Sequence, residues 1–446
     1  MRVAVVGAGI SGLVAAYRLR AALGSELDLV LAERRDRIGG TLHTGELAGE
    51  PMDLGAEAFV GRRPEIPALL DELGLSDQLV HPAGKRPLIW SGGAAHPLPE
   101  RTLMGIPAGP DAVAGLVDEP TLQRMAAEPG LPLRWPSGGD MSVADLVADR
   151  FGEQVVRRSV DPLLGGVYAG RADSIGVRAA LPALAATLDA GAPSLTDAIA
   201  RALPPPSTAP VFGGLREGYR VLLRALRSAA APKLEIGTSA TALTRNARGW
   251  RIDPIGEFDA VVLATPAPVS TDLLRTVAPR AARLLGGVEL SSSAVVALAL
   301  PKPTPLPDNS GILVATGEPL RAKAFTLSGR KWPHLADRDS MPVRVSFGRF
   351  GDDRALSWPD EELIAAAVED LSTVTGLSLR AEAALVRRWR GGLPQYAPGH
   401  TGRIAALDEQ IAELPGLELA GAYLGGVGVP ACAASGTAAA QRILER

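Results

Sequence analysis

Apolar residues at the start of the chain predict a short strand followed directly by a helix. Residues 2–7 form a buried strand pattern, since Val and Ala follow one another without a polar interruption. Helix-compatible residues occupy positions 11–22, and the junction between the two elements carries Gly7, Gly9 and Gly12. This order is typical of an α/β nucleotide-binding unit, in which backbone N–H groups at a helix N-terminus face a pyrophosphate.

A second apolar segment, LDLVLAE, supports nucleotide binding. It predicts another buried strand and ends at Glu33, 21 positions beyond Gly12. An acidic side chain at this spacing can accept hydrogen bonds from ribose hydroxyls. A side chain at Gly9 would block the approach of the pyrophosphate, whereas Gly12 lets the helix pack closely on the strand. Glycine turns also occur for purely structural reasons, but the preceding strand, the following helix and the acidic residue together favour nucleotide binding.

Composition excludes several classes of function. The 446 residues are 46% hydrophobic, enough for two or three domains. With 46 basic and 49 acidic residues the chain has no basic excess for nucleic acid. The single cysteine, Cys432, cannot form an intrachain disulfide, and five scattered histidines lack metal-ligand spacing. No apolar run approaches the roughly 18 residues of a membrane span. We therefore expect a cytoplasmic protein without a metal, and peripheral membrane docking remains open.

The residues that follow Glu33 narrow the choice of nucleotide. The segment 33–44, ERRDRIGGTLHT, resembles the E-x-R-x-x-x-GG signature of the flavin amine oxidase superfamily, whose members bind FAD. The resemblance implies that Glu33 contacts the adenosine ribose and that Arg35 helps to hold the pyrophosphate. A solvated basic turn is the alternative for these arginines. The segment 53–59, DLGAEAF, resembles the stretch that brings backbone against the flavin.

Two later stretches extend this resemblance. Residues 234–252 alternate as a hairpin, and residues 258–268 predict a buried strand that ends in a turn; superfamily members use these pieces to cover the adenine. The loop 425–429 precedes the last helix and would lie under the flavin ring, although a simple glycine-rich turn is the alternative. The implied cofactor-binding residues are Gly7, Gly9, Ile10, Ser11, Gly12, Glu33, Arg34, Arg35, Gly39, Gly40, Thr41, Gly55, Ala56, Glu57, Ala240, Ala264, Thr265, Gly421, Gly428 and Val429.

Five further segments, in order along the chain, resemble the porphyrinogen oxidases of haem biosynthesis. Ala431 departs from that pattern, since many relatives carry an acidic residue there. The resemblance implies oxidation of coproporphyrinogen III to coproporphyrin III by hydride transfer to FAD, which O2 reoxidises with formation of H2O2. Oxidation of protoporphyrinogen IX is the alternative. The segments are VDPLLGGVYAGRADSIGVRAALPAL (160–184), FGGLREGY (212–219), SGRKWPH (328–334), GLPQYAPGH (392–400) and GVGVPAC (426–432).

The expected fold class is α/β, with a Rossmann-like FAD-binding domain built from discontinuous segments. That domain comprises residues 1–75, 206–270 and 401–446, with a Pro-rich linker at 204–210. Residues 76–205 have apolar positions at helical spacing and predict a mainly helical insertion, a cavity wall with a potential membrane-facing part. Residues 271–400 mix strand alternation with a helix and predict an α+β substrate-binding domain that roofs a pocket over the flavin.

The sequence offers no catalytic triad or carboxylate pair, and we expect the flavin to perform the chemistry. By resemblance, Arg86 pairs with a substrate propionate through its guanidinium fork, although a surface arginine is the alternative. Gly166 would lie along the cavity wall. Leu393, Tyr396 and Trp332 are wall candidates for which core packing is an equal alternative. The pairs Arg62-Arg63 and Arg330-Lys331 could bind further propionates, but surface solvation is favoured for both.

Other functions stay open at this stage. A flavin amine oxidase or carotenoid desaturase shares the first and last motifs, but an amine oxidase would show an aromatic cage, and aromatic residues make up only 4% of the chain. A flavin-binding scaffold without catalysis is a further alternative. As partners we expect a porphyrinogen and O2, no nucleic acid, and a transient contact with a ferrochelatase.

Overall fold

A computed structural model describes residues 1–136, 138–205, 207 and 209–445. The predicted linker at 204–210 and the predicted domain boundary at 206 include positions 206 and 208, which lie outside the described residues. Position 446, the predicted end of the FAD-binding domain, also lies outside them. No helix in the described part of the chain combines the length and apolar character needed to cross a bilayer.

A five-stranded parallel sheet, in the order β12-β2-β1-β16-β22, forms the centre of the first domain. Strands and helices are numbered along the chain. All of its strands fall within the three segments that the sequence assigns to the FAD-binding domain, and the α/β fold class is confirmed. The strands are β1 (Arg2–Val6), β2 (Asp28–Glu33), β12 (Lys233–Ile236), β16 (Ala260–Leu263) and β22 (Leu417–Leu419).

A seven-stranded mixed sheet, in the order β21-β17-β20-β19-β18-β7-β8, lies in the second domain. Two of its strands, β7 and β8, come from the segment 88–97 within the predicted helical insertion. Strand β7 pairs in parallel with β18, more than 200 positions away, and this long-range pairing left no local signal in the sequence. The strands are β7 (Leu88–Ser91), β8 (Ala94–Pro97), β17 (Leu290–Leu300), β18 (Gly311–Val314), β19 (Ala322–Thr326), β20 (Met341–Phe347) and β21 (Ala383–Pro394).

The other paired strands of the described residues form four small antiparallel sheets. The hairpin predicted within 234–252 is β13 with β14, whereas the first residues of that stretch form β12 of the parallel sheet. The remaining strands are β3 (Thr44–Leu47) with β4 (Glu50–Asp53); β5 (Phe59–Val60), β6 (Leu79–Val80) and β11 (Phe212–Leu215); β9 (Thr102–Leu103) with β10 (Ile106–Pro107); and β13 (Ala242–Asn246), β14 (Gly249–Asp253) and β15 (Gly256–Phe258).

Helices cover both sheets and build most of the predicted insertion. Within that insertion a π-helical turn, Val156–Val160, joins two of them. The helices are α1 (Ile10–Leu23), α2 (Glu65–Glu72), α3 (Glu119–Ala127), α4 (Val143–Phe151), α5 (Glu153–Val155), α6 (Asp161–Tyr168), α7 (Val177–Ala180), α8 (Pro182–Asp189), α9 (Leu195–Ala202), α10 (Arg220–Ala230), α11 (Ala267–Leu274), α12 (Pro279–Gly286), α13 (Ser328–Lys331), α14 (Pro333–Ala336), α15 (Asp360–Thr375), α16 (His400–Ala412), α17 (Ala422–Gly425) and α18 (Val429–Leu444), with short 3-10 turns at Gly24–Glu26, Ser76–Gln78, Pro110–Val113, Glu128–Gly130 and Arg354–Ser357.

The first and last helices pack directly on each other, which closes the first domain. A Cβ atom at Gly436 of α18 would lie 2.1 Å from the carbonyl oxygen of Ser11, so the helices touch through backbone. Helix α18 begins seven residues before Gly436, about 10 Å along its axis at 1.5 Å per residue. The N-termini of α1 and α18 therefore lie in the same part of the molecule.

Candidate functional site

The glycine turn after β1 leaves the N-terminus of α1 open to a ligand. Gly9 is the N-cap of α1, with extended backbone and no side-chain cap, so the first N–H groups of the helix have no capping acceptor. Gly7 has a φ of +102°, and its N–H donates to Ala32 at the end of β2. Gly9 and Gly40 face each other: a Cβ on Gly40 would lie 3.2 Å from Gly9 Cα. Two backbone loops thus form a shallow cradle beside an uncapped helix, a site suited to a phosphate.

Glu33 fixes one edge of this cradle. Its carboxylate is buried at the end of β2 and accepts the N–H of Ala8 at 3.0 Å and of Arg35 at 2.9 Å. A carboxylate has about four acceptor positions, so Glu33 retains capacity for ribose hydroxyls. Ala264 closes the floor, because its carbonyl oxygen would lie 2.4 Å from a Cβ on Gly7. These contacts place the predicted residues of the turn and of β16 together.

Three arginines concentrate positive charge beside the cradle. Arg35 and Arg37 donate to the carbonyl oxygen of Gly40 at 3.3 and 2.8 Å. Burial, reinforced by the nearby Arg387 and Arg35, lowers the pKa of Arg37 to about 10. Nε of Arg387 is buried without a hydrogen-bond partner, and the described residues place no carboxylate in ion-pair range of these arginines. The cradle and its surplus charge fit a pyrophosphate such as that of FAD.

Arg37 and Arg387 were missed by the sequence analysis. Both guanidinium groups lie near the ring of Trp389, at 5.8 and 5.0 Å from its centroid. Trp389 Nε1 in turn donates to the carbonyl of Leu54 at 2.8 Å. Arg37 carried a signal in the sequence, since it lies inside the ERRDRIGG motif. Arg387 carried no such signal, because it lies on β21 and its position depends on the long-range pairing of β21 with β17.

Residues 53–57 make close contacts with elements of both domains. A Cβ on Gly55 would lie 1.9 Å from the carbonyl oxygen of Thr41, and Arg344 donates to the Gly55 carbonyl at 2.6 Å. Glu57, predicted as a cofactor contact, has its carboxylate engaged by Lys331 at 2.9 Å and by Arg344 at 3.6 Å. Its carboxylate therefore anchors this segment to β20 and α13.

The pKa values of two buried carboxyl groups in that segment are shifted in opposite directions. Burial pushes the pKa of Glu57 upward, but Lys331, Arg344 and the hydrogen bond from Ser328 outweigh it and bring the pKa to about 2. For Asp53, burial outweighs the hydrogen bonds from Thr44 and Tyr219 and the charge of Arg344, and it raises the pKa to about 7. Asp53 accepts the hydroxyl of Thr44 at 2.5 Å and the N–H of Tyr219 at 3.2 Å. The sequence analysis did not single out Asp53.

The C-terminal loop presents a second uncapped helix. Gly428 is the N-cap of α18 in extended conformation, and no side chain caps the first turn that begins at Val429. The positive end of the helix dipole therefore faces outward at this point. Ala431 packs against the loop: a Cβ on Gly426 would lie 2.6 Å from its Cβ. Gly421 is anchored at the start of α17 by a hydrogen bond from its N–H to Ser435 at 2.8 Å.

The remaining predicted cofactor residues take varied positions. Ile10 and Ser11 form the first turn of α1 and are buried, whereas Arg34 is exposed after β2. Ala56 and Ala240 are partly buried, each beside a core cluster of the first domain. Thr265 is buried, and its hydroxyl pairs with that of Ser270 at 2.7 Å.

The predicted substrate residues differ in their surroundings. Arg86 is half exposed, forms an ion pair with Glu100, and donates to the carbonyls of Leu98 and Pro99 at 3.1 and 3.2 Å. Its guanidinium therefore already has protein partners. Gly166 lies on an exposed part of α6, where an added Cβ would be 4.0 Å from Cδ2 of Leu313 on β18.

The predicted wall and charge candidates are mostly occupied by packing or pairing. Trp332 is buried in a small apolar cluster, and Tyr396 stacks on His400 with ring centroids 4.2 Å apart, so both are core residues. Leu393 is partly buried on β21. Arg63 pairs with Glu65 at the surface, and Arg330 donates to a backbone carbonyl at 3.1 Å.

Comparisons with known proteins agree with this geometry. The model of the flavin containing amine oxidoreductase family matches residues 10–444. Coproporphyrinogen III oxidase of Mycobacterium tuberculosis (strain H37Rv) is 50% identical over 445 residues, covering 99% of this chain and 97% of the relative. Coproporphyrinogen III oxidase of Bacillus subtilis (strain 168) is 28% identical, covering 98% and 96%.

Solved structures give the same picture of the fold. A structure from Exiguobacterium sp. 255-15, assigned provisionally as a protoporphyrinogen oxidase, aligns with a TM-score of 0.88 at 30% identity, covering 100% of this chain and 99% of the other. Putrescine oxidase bound to putrescine aligns with a TM-score of 0.71 at 18% identity, covering all of both chains. The second likeness shows the fold alone.

Proposed function

Because the chain belongs to the flavin-containing amine oxidoreductase family and is an FAD-dependent oxidoreductase, we propose that it oxidises coproporphyrinogen III to coproporphyrin III. The reaction removes six electrons and six hydrogens from the tetrapyrrole. FAD supplies the hydride acceptor, and three molecules of O2 take up the six electrons and six hydrogens as three molecules of H2O2. The protein's own part is to hold the cofactor, admit the macrocycle and bind its carboxylates.

One observation carries this proposal. The relatives that are 50% identical over 99% of this chain are coproporphyrinogen III oxidases, and the same name recurs at 28% identity over nearly full length. The cradle of Gly9 and Gly40, the uncapped α1 and the arginines beside it support FAD binding by the predicted residues. In this proposal Glu33 would bind the ribose, and the N-terminus of α18 would hold the flavin ring.

Protoporphyrinogen IX is the second candidate substrate. The chloroplastic protoporphyrinogen oxidase of Nicotiana tabacum is 25% identical over 472 residues, and the Exiguobacterium structure carries the same provisional assignment. Coproporphyrinogen III is favoured because the relatives of that name are much more similar. If the protein oxidises neither porphyrinogen, the alternative of a scaffold that binds FAD without catalysis would be favoured.

The domain roles and partners follow from this function. We propose that residues 1–75, 206–270 and 401–446 bind FAD, that 271–400 binds substrate and that 76–205 forms the cavity wall. A cytoplasmic enzyme of this kind would pass its porphyrin to a ferrochelatase through a transient contact. We also propose peripheral membrane association, for which the exposed neighbours Val211 and Phe212 are candidate contacts.

A direct comparison of the two substrates tests the proposal. FAD-loaded protein is supplied in air with either porphyrinogen, and porphyrin fluorescence and H2O2 are followed against a protein-free control for spontaneous oxidation. We expect faster conversion of coproporphyrinogen III, with three H2O2 per porphyrin. Faster conversion of protoporphyrinogen IX would favour the second substrate, and no rate above the control for either would contradict an oxidase function.

A further inference from the structure

Lys323 is a buried cation that the predicted site did not include. It lies on β19, where the pairing with β20 shifts register between Ala322 and Ala324, so Lys323 occupies the irregular position. Its Nζ donates to the carbonyl oxygen of Gly348 at 2.6 Å. Burial and, as a smaller contribution, the nearby Arg349 lower the pKa of Lys323 to about 7. Part of the residue nevertheless remains accessible to solvent.

Lys323 lies close to the part of the seven-stranded sheet that α6 packs against, since α6 contacts β18 and β19. Leu313 of β18 pairs with Ala324 of β19, so both side chains share a sheet face, and Leu313 packs towards the helical insertion. Gly166 of α6 is exposed, and a Cβ added to it would lie 4.0 Å from Cδ2 of Leu313. Small and apolar residues therefore lie together on this side of the sheet, near the ammonium group of Lys323.

The charged groups near Lys323, namely Arg349 and Asp161, are linked to each other through the hydroxyl group of Thr316. Arg349 donates to Thr316 Oγ1 at 2.8 Å and to the Val314 carbonyl at 2.7 Å. Thr316 donates in turn to Asp161 at 2.7 Å, and Asp161 also accepts the N–H of Ala172. Asp161 is thus satisfied within the protein and is not an ion-pair partner of Lys323.

Lys323 consequently lacks a counter-charge. Within residues 1–136, 138–205, 207 and 209–445, no carboxylate lies in ion-pair range of its Nζ. An ammonium has three donors, and the hydrogen bond to Gly348 uses one. A buried charge without a partner is costly, and an incoming carboxylate would remove that cost. Of the other candidate cations, Arg86, Arg63 and Lys331 each have an acidic partner, whereas Arg330 donates to the carbonyl oxygen of Leu306.

We propose that Lys323 binds one propionate of the tetrapyrrole substrate on the side of the seven-stranded sheet that α6 partly covers. The proposal rests on the function proposed above and names the residue that reads the carboxylate. A propionate has the charge that the site lacks, and it is carried on a flexible arm of the macrocycle. Lys323 is then a specificity-determining residue for carboxylated tetrapyrroles.

Ligand binding by charge variants tests this assignment apart from turnover. The FAD-loaded parent, Lys323→Met and Lys323→Arg are titrated with coproporphyrin III and with its tetramethyl ester, which has the same ring and no carboxylate. We expect Lys323→Met to bind the free acid about tenfold or more weakly, the scale of a charge-assisted hydrogen bond, and the ester unchanged. Lys323→Arg should retain most of the affinity. Lys302→Met is the matched control, since exposed Lys302 also donates to one backbone carbonyl.

Kinetics give a second readout. For coproporphyrinogen III we expect Lys323→Met to raise KM more than it lowers kcat, with FAD content and Tm close to those of the parent. Lys323→Gln replaces it if the methionine variant does not fold. Equal binding of the free acid by parent and variant, or equal losses for acid and ester, would overturn the role of Lys323. Failure of the parent to oxidise any porphyrinogen would instead contradict the proposed function.

Discussion

Two glycines of the same turn are required for different physical reasons. A Cβ on Gly12 would lie 1.9 Å from the carbonyl oxygen of Gly7, so α1 could not stay against β1. A Cβ on Gly9 would meet only Gly40 Cα, at 4.0 Å, and the φ of −72° at Gly9 suits any residue. The protein itself therefore needs Gly12, whereas Gly9 leaves room for a ligand.

This difference predicts opposite phenotypes for two alanine variants. Gly9→Ala should keep the Tm of the apoprotein but lose most of its FAD, because the methyl group occupies the phosphate cradle. Gly12→Ala should lower the apoprotein Tm by several degrees, because backbone must shift to relieve the clash. Flavin absorbance after gel filtration and thermal unfolding of both apoproteins measure this. A Gly9→Ala protein with full FAD content would refute the assignment.

Asp53 predicts a pH dependence of stability. Its pKa rises from 3.8 to about 7 on folding, so between these values the folded state retains a proton that the unfolded state loses. The contribution of Asp53 to the free energy of unfolding is therefore fully present below about pH 4 and is lost as pH rises towards 7. The loss is at most about 4 kcal/mol, at about 1.4 kcal/mol per pKa unit. Asp53→Asn mimics the protonated form, so it should gain stability relative to the parent as pH rises.

Denaturant unfolding from pH 4.5 to 8 measures this difference. Asp272→Asn, which changes an exposed aspartate, serves as control and should follow the parent at every pH. A constant difference between Asp53→Asn and the parent would show that Asp53 is ionised in the fold.

At the scale of elements, a buried ion pair joins helices of the insertion. Glu128 is fully buried and accepts Arg150 Nε at 3.0 Å. The same carboxylate accepts the N–H groups of Leu195 and Thr196 at 2.7 and 3.2 Å, which caps the start of α9. One side chain thus ties α4, α9 and the turn at 128–130 together, far along the chain from the glycine turn.

Removing one partner of this pair should destabilise the insertion selectively. Glu128→Ala leaves Arg150 charged and buried, and such a loss costs about 3–5 kcal/mol. The double variant Glu128→Ala/Arg150→Met should recover part of that stability, because no unpaired charge remains. Chemical unfolding measures both, and FAD content should change little. Equal stability of the single and double variants would contradict this account of the pair.

At the scale of the whole molecule, chain order and spatial order differ. The parallel sheet takes strands from residues 2–33, 233–263 and 417–419, and the mixed sheet takes strands from 88–97 and 290–394. The chain passes between the domains repeatedly, so that residues from distant segments meet at one cradle. Arg35 and Arg387, for example, lie 352 positions apart and both contribute charge there.

The sequence alone determined the features that depend on local spacing. Gly7, Gly9, Gly12 and Glu33 follow one strand–turn–helix–strand unit, whose geometry fixes where its N–H groups and its carboxylate lie. The motif after Glu33 then identified the family and FAD. These signals are contained within about 45 residues, so no distant contact was needed to interpret them.

Only the tertiary structure decided which charges are free. Arg86 stays a predicted propionate ligand, and the fold adds that it pairs with Glu100 at the surface. Lys323 carried no signal in the sequence, and among the described residues the fold buries it without an acidic partner. Burial and pairing depend on strand register and on helices packed across hundreds of positions, which a single chain does not encode locally. The local geometry of the predicted cofactor site could therefore be derived from the sequence, whereas the pairing and burial of the charged side chains could not.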